Sequence, residues 1–312
     1  MSKIHMSETQ HQHFGRCVKM TNGLIELLVT VDFGPRVIHF ATAGMENMFY
    51  QDTEKKPLGE AFPAYEGDIC RCYGGHRLWI SPEVLPRCYY PDNAPVDVEM
   101  LENGALFTAP PEKANGIQKS LMLTLMEDEP AVTVKHFIEN TGHWEVELAP
   151  WCLTMMDKGV KEVLPMPNRE TGLLPNRHFT IWPYTNMADK RVHWGQKFMT
   201  LTQDPTEHKP FKMGYNNEAG WAAAFNKGQV FFKFYESVVA GLYPDNGCSY
   251  ETYTDAAMLE METLGELTLL APSESVEITE EWEIYPSPGV PSDDEDEIAN
   301  LIEKYTGTPG RV

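Results

Sequence analysis

Short runs rich in Val, Ile, Phe, Tyr and Thr recur along the chain between Gly, Pro, Asn and Asp residues, and helical periodicity is nearly absent. Strands place successive side chains on opposite faces, so an apolar residue at every second position indicates a half-buried strand. Asn22-Gly23 separates two such runs, residues 17–21 and 24–31, and is typical of a hairpin turn. Residues 157–220 are rich in Pro, Asn and Gly, and strand-like runs resume after them. The pattern predicts an all-β fold.

The length of the chain, 312 residues, allows either two domains or one large all-β unit, because β-sandwiches and barrels often exceed about 200 residues. The polar segment 1–13 is expected to be a flexible lead, and residues 14–290 are expected to form a single β domain. The pattern then changes, because Ser292 and the acidic residues 293–295 precede an apolar stretch, as at a capped helix start. We therefore predict a short C-terminal helical tail over residues 291–312.

The formal net charge of −21 argues against nucleic-acid and anionic-membrane partners, because phosphates require basic patches. It favours a neutral or cationic small molecule, or an anionic one that a few Arg and Lys residues hold locally. No apolar run approaches the ~18 residues of a membrane span, and residues 1–16 lack the apolar segment of a signal peptide. The six cysteines are scattered, which is typical of free thiols in a reducing compartment. We expect a cytoplasmic protein that is a monomer or a homodimer.

Residues 258–265 read Met-Leu-Glu-Met-Glu-Thr-Leu-Gly and alternate between apolar and acidic side chains. This alternation predicts a strand with one face in a core and with Glu260 and Glu262 together on the other face. The roots of the two side chains would lie about 7 Å apart. Carboxylates at this separation raise each other's pKa, which suits a general base or a ligand clamp. The alternative is that both carboxylates face water on a solvated sheet.

Residues 74–79 read Gly-Gly-His-Arg-Leu-Trp. Two glycines let the backbone turn sharply or approach a ligand, and the imidazole of His76, the guanidinium of Arg77 and the indole of Trp79 follow at once. On a loop, such a cluster indicates a binding or catalytic site, and the alternative is a structural Gly-Gly turn with a packed Trp. His136 lies in the middle of a predicted strand, where a lone histidine is expected to be a satisfied core residue.

The chain contains no nucleophile elbow, no phosphate-binding loop, no His-Glu-x-x-His motif and no dinucleotide fingerprint, and we expect no cofactor. Aromatic faces stack on sugar rings, while carboxylates, Arg and Asn bind hydroxyl groups. Acid–base chemistry on a sugar needs a proton donor and an acceptor, and His76 with Glu260 or Glu262 would supply such a pair. A metal bound by His76 and these acids is an alternative that no close ligand spacing supports, so no metal is expected.

The chain resembles the galactose mutarotase-like, or aldose 1-epimerase-like, superfamily over roughly residues 14–285. The likeness to one branch of the superfamily is closer than the likeness to the true mutarotases. It rests on residues 24–31 with 34–38, on 74–79, on Asn140 with 148–151, on 247–254 and on 259–265. The resemblance implies a large antiparallel β-sandwich, the mutarotase-like supersandwich, that binds a sugar on one concave face.

The resemblance also implies roles for single residues. Glu260 matches the family base that acts on the anomeric hydroxyl, Glu262 stands where the family tends to have Gln, and His76 lies near the family's first, substrate-binding His. The family's second His, its usual acid, follows a Leu-Thr-Asn run. The corresponding run here is 148–150 and ends at Trp151, whose indole N–H is too weak an acid. Either His76 or another group supplies the proton, or the protein no longer catalyses mutarotation.

These observations predict a carbohydrate-active isomerase of the aldose 1-epimerase type, with Glu260 as base and His76 as acid. One alternative is a non-catalytic carbohydrate-binding or sensing protein that kept the groove and lost the acid. Another is a lyase or hydrolase acting on an acidic sugar, whose carboxylate would pair with Arg or Lys. The expected substrate-binding residues are Arg77, Trp79, Trp151, Glu262, Lys212 and Lys233.

Overall fold

The computed structural model describes residues 3–287 and 289–306. Most of these residues form strands or their connections, and one helix, Glu295–Thr306, follows near the C-terminus. The strands are β1 (His5–His11), β2 (Gly15–Thr21), β3 (Ile25–Thr30), β4 (Val37–Thr42), β5 (His76–Ser81), β6 (Asp97–Met100), β7 (Gly104–Thr108), β8 (Ile117–Leu125), β9 (Ala131–Asn140), β10 (Val146–Met156), β11 (Lys161–Pro165), β12 (Phe179–Ile181), β13 (Val192–Trp194), β14 (Phe198–Thr202), β15 (Phe211–Tyr215), β16 (Trp221–Asn226), β17 (Gln229–Tyr235), β18 (Tyr250–Thr254), β19 (Leu259–Leu264), β20 (Thr268–Leu270) and β21 (Ser275–Pro286). Short helical turns lie at Pro63–Tyr65, Arg87–Tyr89 and Pro244–Gly247.

The strands form two large antiparallel sheets. The larger sheet has eleven strands in the order β1-β2-β3-β4-β5-β10-β19-β18-β15-β12, with β20 paired to β10 outside this path. The smaller sheet has ten strands in the order β13-β14-β11-β16-β17-β21-β9-β8-β7-β6. Apolar side chains from both sheets form one continuous core, so the predicted all-β sandwich is confirmed. No helix among the described residues is long and apolar enough to cross a bilayer.

The centre of the core is an aromatic cluster that joins the two sheets. Trp282 of β21 is fully buried, and its ring centroid lies 5.6 Å from those of Phe40 and Phe49 and 5.8 Å from that of Phe231. Phe40 belongs to the larger sheet and Phe231 to the smaller one. Burying a large apolar side chain stabilises a fold by about 1.5–3 kcal/mol, so this cluster holds the two sheets together.

The C-terminal helix packs on the outer face of the smaller sheet. Its residues Ile298 and Ile302 are fully buried against apolar side chains of that sheet. The carboxylate of Asp294 caps the first turn by accepting hydrogen bonds from two backbone N–H groups. The predicted helix is therefore confirmed, while residues 307–312 of the predicted tail lie outside the described residues.

Two parts of the chain differ from the prediction. Segment 1–13, expected to be a flexible lead, contains β1, which pairs with β2 from His5 to His11. No side chain of β1 is fully buried, so its pairing rests on backbone hydrogen bonds that leave no hydrophobic pattern in the sequence. The Pro- and Gly-rich segment 157–220 contains strands β11 to β15, each too short to show a clear alternation.

Four buried titratable side chains meet between the sheets, and we call them the interlayer cluster: His76, His136, Lys233 and Glu280. The Lys233 ammonium lies 3.1 Å from a Glu280 carboxylate oxygen and donates to the carbonyl oxygen of Met261 on β19 at 3.0 Å. Burial alone would raise the pKa of Glu280, but the Lys233 charge and the neighbouring donors hold it below its usual value. Lys233 thus connects the smaller sheet to the backbone of the larger one.

The two histidines of the cluster form a chain of hydrogen bonds. Nδ1 of His136 lies 3.1 Å from the carbonyl oxygen of Ile278, which can only accept, so Nδ1 carries the proton. Nε2 of His136 then accepts from Nε2 of His76 at 2.7 Å, and Nδ1 of His76 accepts from the Thr154 hydroxyl at 2.8 Å. Burial lowers the pKa of both histidines, which are therefore neutral. His136 is a satisfied core residue, as predicted, although it is not alone.

We predict that Lys233→Met lowers the free energy of unfolding by about 3 kcal/mol or more, because it leaves the buried Glu280 carboxylate without a cation. Urea unfolding followed by tryptophan fluorescence measures this loss. The double variant Lys233→Met/Glu280→Gln removes both charges and should recover about half of the loss or more. A double variant less stable than the single one would contradict this account.

Candidate functional site

A cleft of about 420 Å³ opens on the face of the larger sheet that points away from the smaller sheet. Side chains of β5, β10, β15, β18 and β19 line it together with residues of the adjoining loops. Six aromatic side chains contribute to the lining: Trp79, Tyr89, Trp151, Trp182, Tyr184 and Tyr253. A cleft of this size, with several aromatic side chains in its walls and a few charged groups, suits a small molecule.

The antiparallel register places the cleft residues side by side. On β5, Arg77 and Trp79 enter the cleft, whereas the intervening Leu78 enters the core between the sheets. Trp79 pairs across the ladder with Trp151 of β10, and their rings meet edge to face with centroids 5.5 Å apart. Trp79 is part of the cleft wall. Residues 76–79 belong to strand β5 and do not form the loop that the sequence suggested.

The two carboxylates of β19 lie on one face, as predicted. Leu259 and Met261 are buried in the core, while Glu260 lines the cleft and Glu262 is fully buried directly beneath it. The alternative, in which both carboxylates face water, is excluded because Glu260 is only 9% exposed. The alternation in residues 258–265 therefore placed the two carboxylates on a common face correctly.

Four buried side chains form the floor of the cleft: Trp151, Lys212, Glu251 and Glu262. The Lys212 ammonium lies 2.8 Å from a Glu251 oxygen and 2.9 Å from a Glu262 oxygen. The indole N–H of Trp151 donates to the same Glu262 oxygen at 2.8 Å. The Lys212 ammonium also lies 4.7 Å from the centre of the Trp151 ring.

Within the floor, the carboxyl groups of Glu251 and Glu262 balance the positive charge of Lys212. Burial alone would lower the pKa of Lys212, but Glu262 and Glu251 raise it well above its usual value, so the ammonium stays charged. Burial raises the pKa of Glu251 well above its usual range, against the opposing effect of Lys212. The floor thus holds Lys212 between two carboxyl groups and leaves it little capacity to pair with a further anion.

Glu260 is the carboxyl group that remains available in the cleft. Its side chain makes no hydrogen bond or ion pair with the described residues, in contrast to Glu262 below it. Burial raises its pKa to about 8, and the charge of Glu262 acts in the same direction while Arg77 opposes it. At neutral pH this carboxyl group is mostly protonated and can both donate and accept a proton.

Arg77 is the second available group. It is 3% exposed, its guanidinium carbon lies 3.8 Å from the centre of the Trp79 ring, and its Nε and Nη1 atoms make no hydrogen bond with the described residues. Burial lowers its pKa, and the nearby charge of Arg36 acts in the same direction. The guanidinium therefore lies against Trp79 in the cleft wall, with two buried donors that no acceptor among the described residues satisfies.

The structure brings together six of the eight expected site residues and separates two. Arg77, Trp79, Trp151, Lys212 and Glu260 line the cleft, and Glu262 supports it from below. His76 and Lys233 are fully buried in the interlayer cluster on the other side of the sheet. The expectation that His76 is the acid and Lys233 binds substrate is therefore corrected. On their strands, both residues occupy positions whose side chains point into the core between the sheets.

The interlayer cluster could in principle offer metal ligands. The ligating atoms of His76, His136 and Glu280 all lie within 4.8 Å of one another. The two imidazole nitrogens are at hydrogen-bond distance, 2.7 Å, and the Lys233 ammonium already lies against Glu280. A cation would have to displace both interactions, so the donors present fit the cluster better as a polar connection than as a metal centre.

Sequence reasoning missed Glu251, Tyr253 and Asp255. Glu251 pairs across the ladder with Glu262, and Tyr253 pairs with Glu260, so β18 continues the face on which the two carboxylates lie. The available signal was the spacing of these three residues at every second position. What no sequence pattern shows is that β18 is the neighbour of β19 in this sheet.

The two glycines before His76 have a structural role. Both have positive φ, and a Cβ atom on Gly75 would lie 2.3 Å from the carbonyl oxygen of Val37. A Cβ atom on Gly74 would lie 2.3 Å from the carbonyl oxygen of Tyr50. The glycines thus let β5 enter the sheet beside neighbouring backbone, which places Arg77 at the cleft.

We predict that Gly75→Ala lowers the free energy of unfolding by about 3 kcal/mol or more, since it adds a backbone clash to an unfavourable φ. Gly67→Ala is the matched control, because Gly67 has a similar φ of +84° and no atom within 4 Å of its Cβ position. Gly67→Ala should lower the free energy of unfolding by only about 1 kcal/mol. Chemical denaturation compares the two, and equal losses would contradict a close backbone contact at Gly75.

A second prediction concerns Glu260 and pH. The folded protein holds the Glu260 proton up to a pKa of about 8, whereas the unfolded chain loses it near 4.5. Glu260 therefore lowers the stability progressively as pH rises through this window. Glu260→Gln should match the wild type at pH 5 and be more stable by more than about 2 kcal/mol at pH 8.5.

Thermal unfolding at the two pH values measures this difference, with Glu99→Gln on the exposed surface of β6 as the control. The control should show no change between pH 5 and 8.5 relative to the wild type. An equal effect of Glu260→Gln at both pH values would show that the carboxyl group titrates normally.

Comparisons with known proteins place the fold. No family model and no curated protein sequence matches the chain. Solved structures do match. A provisionally assigned aldose 1-epimerase from Klebsiella pneumoniae aligns with TM-score 0.59 and 11% identity over 97% of this chain and 87% of its own. A galactose mutarotase-like protein from Lactobacillus casei aligns with TM-score 0.55 and 8% identity over 90% and 100%.

A galactose mutarotase-like protein from Clostridium acetobutylicum aligns with TM-score 0.52 and 12% identity, over 91% of this chain and 99% of its own. At such identities the likeness concerns the fold alone. The chain has the galactose mutarotase-like fold that its sequence motifs suggested.

Proposed function

From a galactose mutarotase-like fold with an unpaired carboxyl group in its cleft, we propose that the protein binds an aldose and interconverts its anomers. The observation that carries the proposal is Glu260, which lies among aromatic side chains, has no hydrogen-bond or ion-pair partner in the described part of the chain, and has a pKa raised to about 8. Trp79, Trp151 and Trp182 offer faces or edges against which a sugar ring packs. The structural likeness to proteins described as galactose mutarotase-like or provisionally as aldose 1-epimerase supports the choice of reaction.

The site suggests how mutarotation proceeds without the His76 that the sequence offered as acid. A protonated Glu260 has one oxygen that accepts and one that donates. In the proposed step, the acceptor oxygen takes the proton of the anomeric hydroxyl while the donor oxygen gives its proton to the ring oxygen. The bond between the anomeric carbon and the ring oxygen breaks, and a carbonyl group forms at the anomeric carbon. Glu260 stays protonated overall, and the reverse step closes the ring on the other face.

The floor has a supporting role in this proposal. Glu262 stays bound to Lys212 and Trp151, so it raises the pKa of Glu260 without competing for the substrate. Trp151, which stands where the family's second histidine is expected, acts through its N–H as a structural donor and not as an acid. In this proposal Glu260 carries the proton chemistry.

The test is the rate of anomer exchange measured by NMR saturation transfer for a panel of aldoses and uronic acids. The wild type should accelerate exchange, and Glu260→Gln should reduce the acceleration by at least about 100-fold. Glu99→Gln should leave it unchanged. The acceleration should fall as pH rises through about 8, because the reacting form of Glu260 is the protonated one.

A sugar that binds to the wild type without any acceleration would favour the second candidate, a non-catalytic carbohydrate-binding protein. An acceleration that increases as pH rises through 8 would show that Glu260 acts as a simple base with a separate acid. Failure of every sugar to bind would remove the carbohydrate proposal and leave the fold.

A further inference from the structure

The cleft contains two buried cationic side chains that differ in their pairing. Lys212 lies against two carboxyl groups, as described above. Arg77 is equally buried, but among residues 3–287 and 289–306 no carboxylate lies within ion-pair distance of it. A buried guanidinium without a partner is strongly unfavourable, so its retention requires an explanation.

Arg36 is a buried arginine with a structural role, and its hydrogen-bond partners provide a comparison for Arg77. Its guanidinium makes two hydrogen bonds with the Asp92 carboxylate, at 2.9 Å and 2.8 Å, and a third with the carbonyl oxygen of Cys72 at 3.0 Å. Arg77 has no such set of partners, and its Nε and Nη1 atoms are left without acceptors. Since Arg77 also lines the cleft, a ligand in the cleft is the partner that its position allows.

We propose that Arg77 binds a carboxylate carried by the sugar, so that the substrate is a uronic acid. This inference rests on the proposed function, since it names the class of sugar that the same cleft takes. The planar fork of a guanidinium matches a carboxylate through two parallel N–H···O bonds. The Trp79 ring beneath the guanidinium, at 3.8 Å, fixes the plane in which this fork lies.

The charges around the cleft favour a carboxylate over a phosphate. Glu83, Asp255 and Glu260 also line the cleft, and Lys212 is already neutralised by the floor. A phosphate ester carries a charge of about −1.5 to −2 at neutral pH and needs several cations. One unpaired guanidinium matches the single charge of a carboxylate.

The register also fits one sugar ring between Arg77 and Glu260. Arg77 pairs with Leu153, which pairs in turn with Glu262, and Glu260 lies two residues further along β19. Standard strand spacings put the Cα atoms of Arg77 and Glu260 about 12 Å apart. Both side chains line the cleft, so a single ring can place its carboxylate at Arg77 and its anomeric centre at Glu260.

The experiment compares the affinities of glucuronate, glucose and glucose 6-phosphate by calorimetric or NMR titration. The wild type should bind glucuronate at least about 30-fold more tightly than glucose. Arg77→Met keeps the length of the side chain, removes the charge and should abolish this preference, because it weakens the binding of glucuronate more than the binding of glucose. Arg169→Met, on the exposed surface, is the matched control and should keep the preference.

The fold of the variant is checked by thermal unfolding. Arg77→Met should be at least as stable as the wild type, because it replaces an unpaired buried charge by an apolar chain of similar size. Glu260→Gln should retain the preference for glucuronate, since it leaves Arg77 in place. These two results separate loss of the carboxylate contact from loss of the fold or of the catalytic group.

Three outcomes would overturn the inference. Equal wild-type affinities for glucuronate and glucose, with anomer exchange of glucose intact, would remove the carboxylate contact and leave the proposed function standing. Tighter binding of glucose 6-phosphate than of glucuronate would show that the site takes a phosphate. Absence of binding and of exchange for all three sugars would overturn the proposed function itself.

Discussion

The ion pairs of Lys212 with Glu251 and Glu262 are the interaction on which the cleft depends. They join β15, β18 and β19, three neighbouring strands of the larger sheet, through one buried ammonium. Side chains alternate between the core and the cleft, so a register shift of one residue would exchange Glu260 with its apolar neighbour Leu259. A buried ammonium that contacts two carboxyl groups in one register and loses them in the next disfavours that shift. The position of Glu260 thus follows from the residues beneath it.

Strand β19 separates two polar systems that use opposite sides of its backbone. On the core side, Lys233 of the interlayer cluster donates to the carbonyl oxygen of Met261. On the cleft side, Glu260 and Glu262 flank that same residue along the chain. A buried charge without a partner is costly, and the protein satisfies every charge of the interlayer cluster internally. In the cleft, Glu260 and Arg77 have no ion-pair partner within residues 3–287 and 289–306. This difference in pairing, more than the residue types, distinguishes the structural polar layer from the candidate site.

Predictions from the sequence were correct where the pattern within a single strand or turn was sufficient to make them. The alternation of 258–265 located Glu260 and Glu262 on one face, and the Asn22-Gly23 turn lies between β2 and β3, where a hairpin was predicted. It failed where the answer depended on which face of a strand enters the core. His76 and Arg77 are adjacent in sequence and chemically equally suited to a site, yet only Arg77 faces the cleft. Five short strands in 157–220 were also missed, because strands of only three to five residues give a weak alternation signal.

The sequence by itself determined that this chain forms an all-β fold, since alternation and turn residues are local properties that survive without tertiary contacts. It also determined which residues could carry acid–base or ligand-binding chemistry. Only the tertiary structure decided which of them meet. Pairing of β18 with β19 brought Glu251 to Glu262, and packing of the smaller sheet enclosed His76 and Lys233 in the core. The physical reason is that partners for a charge come from strands distant in sequence, and burial decides whether such a partner is required.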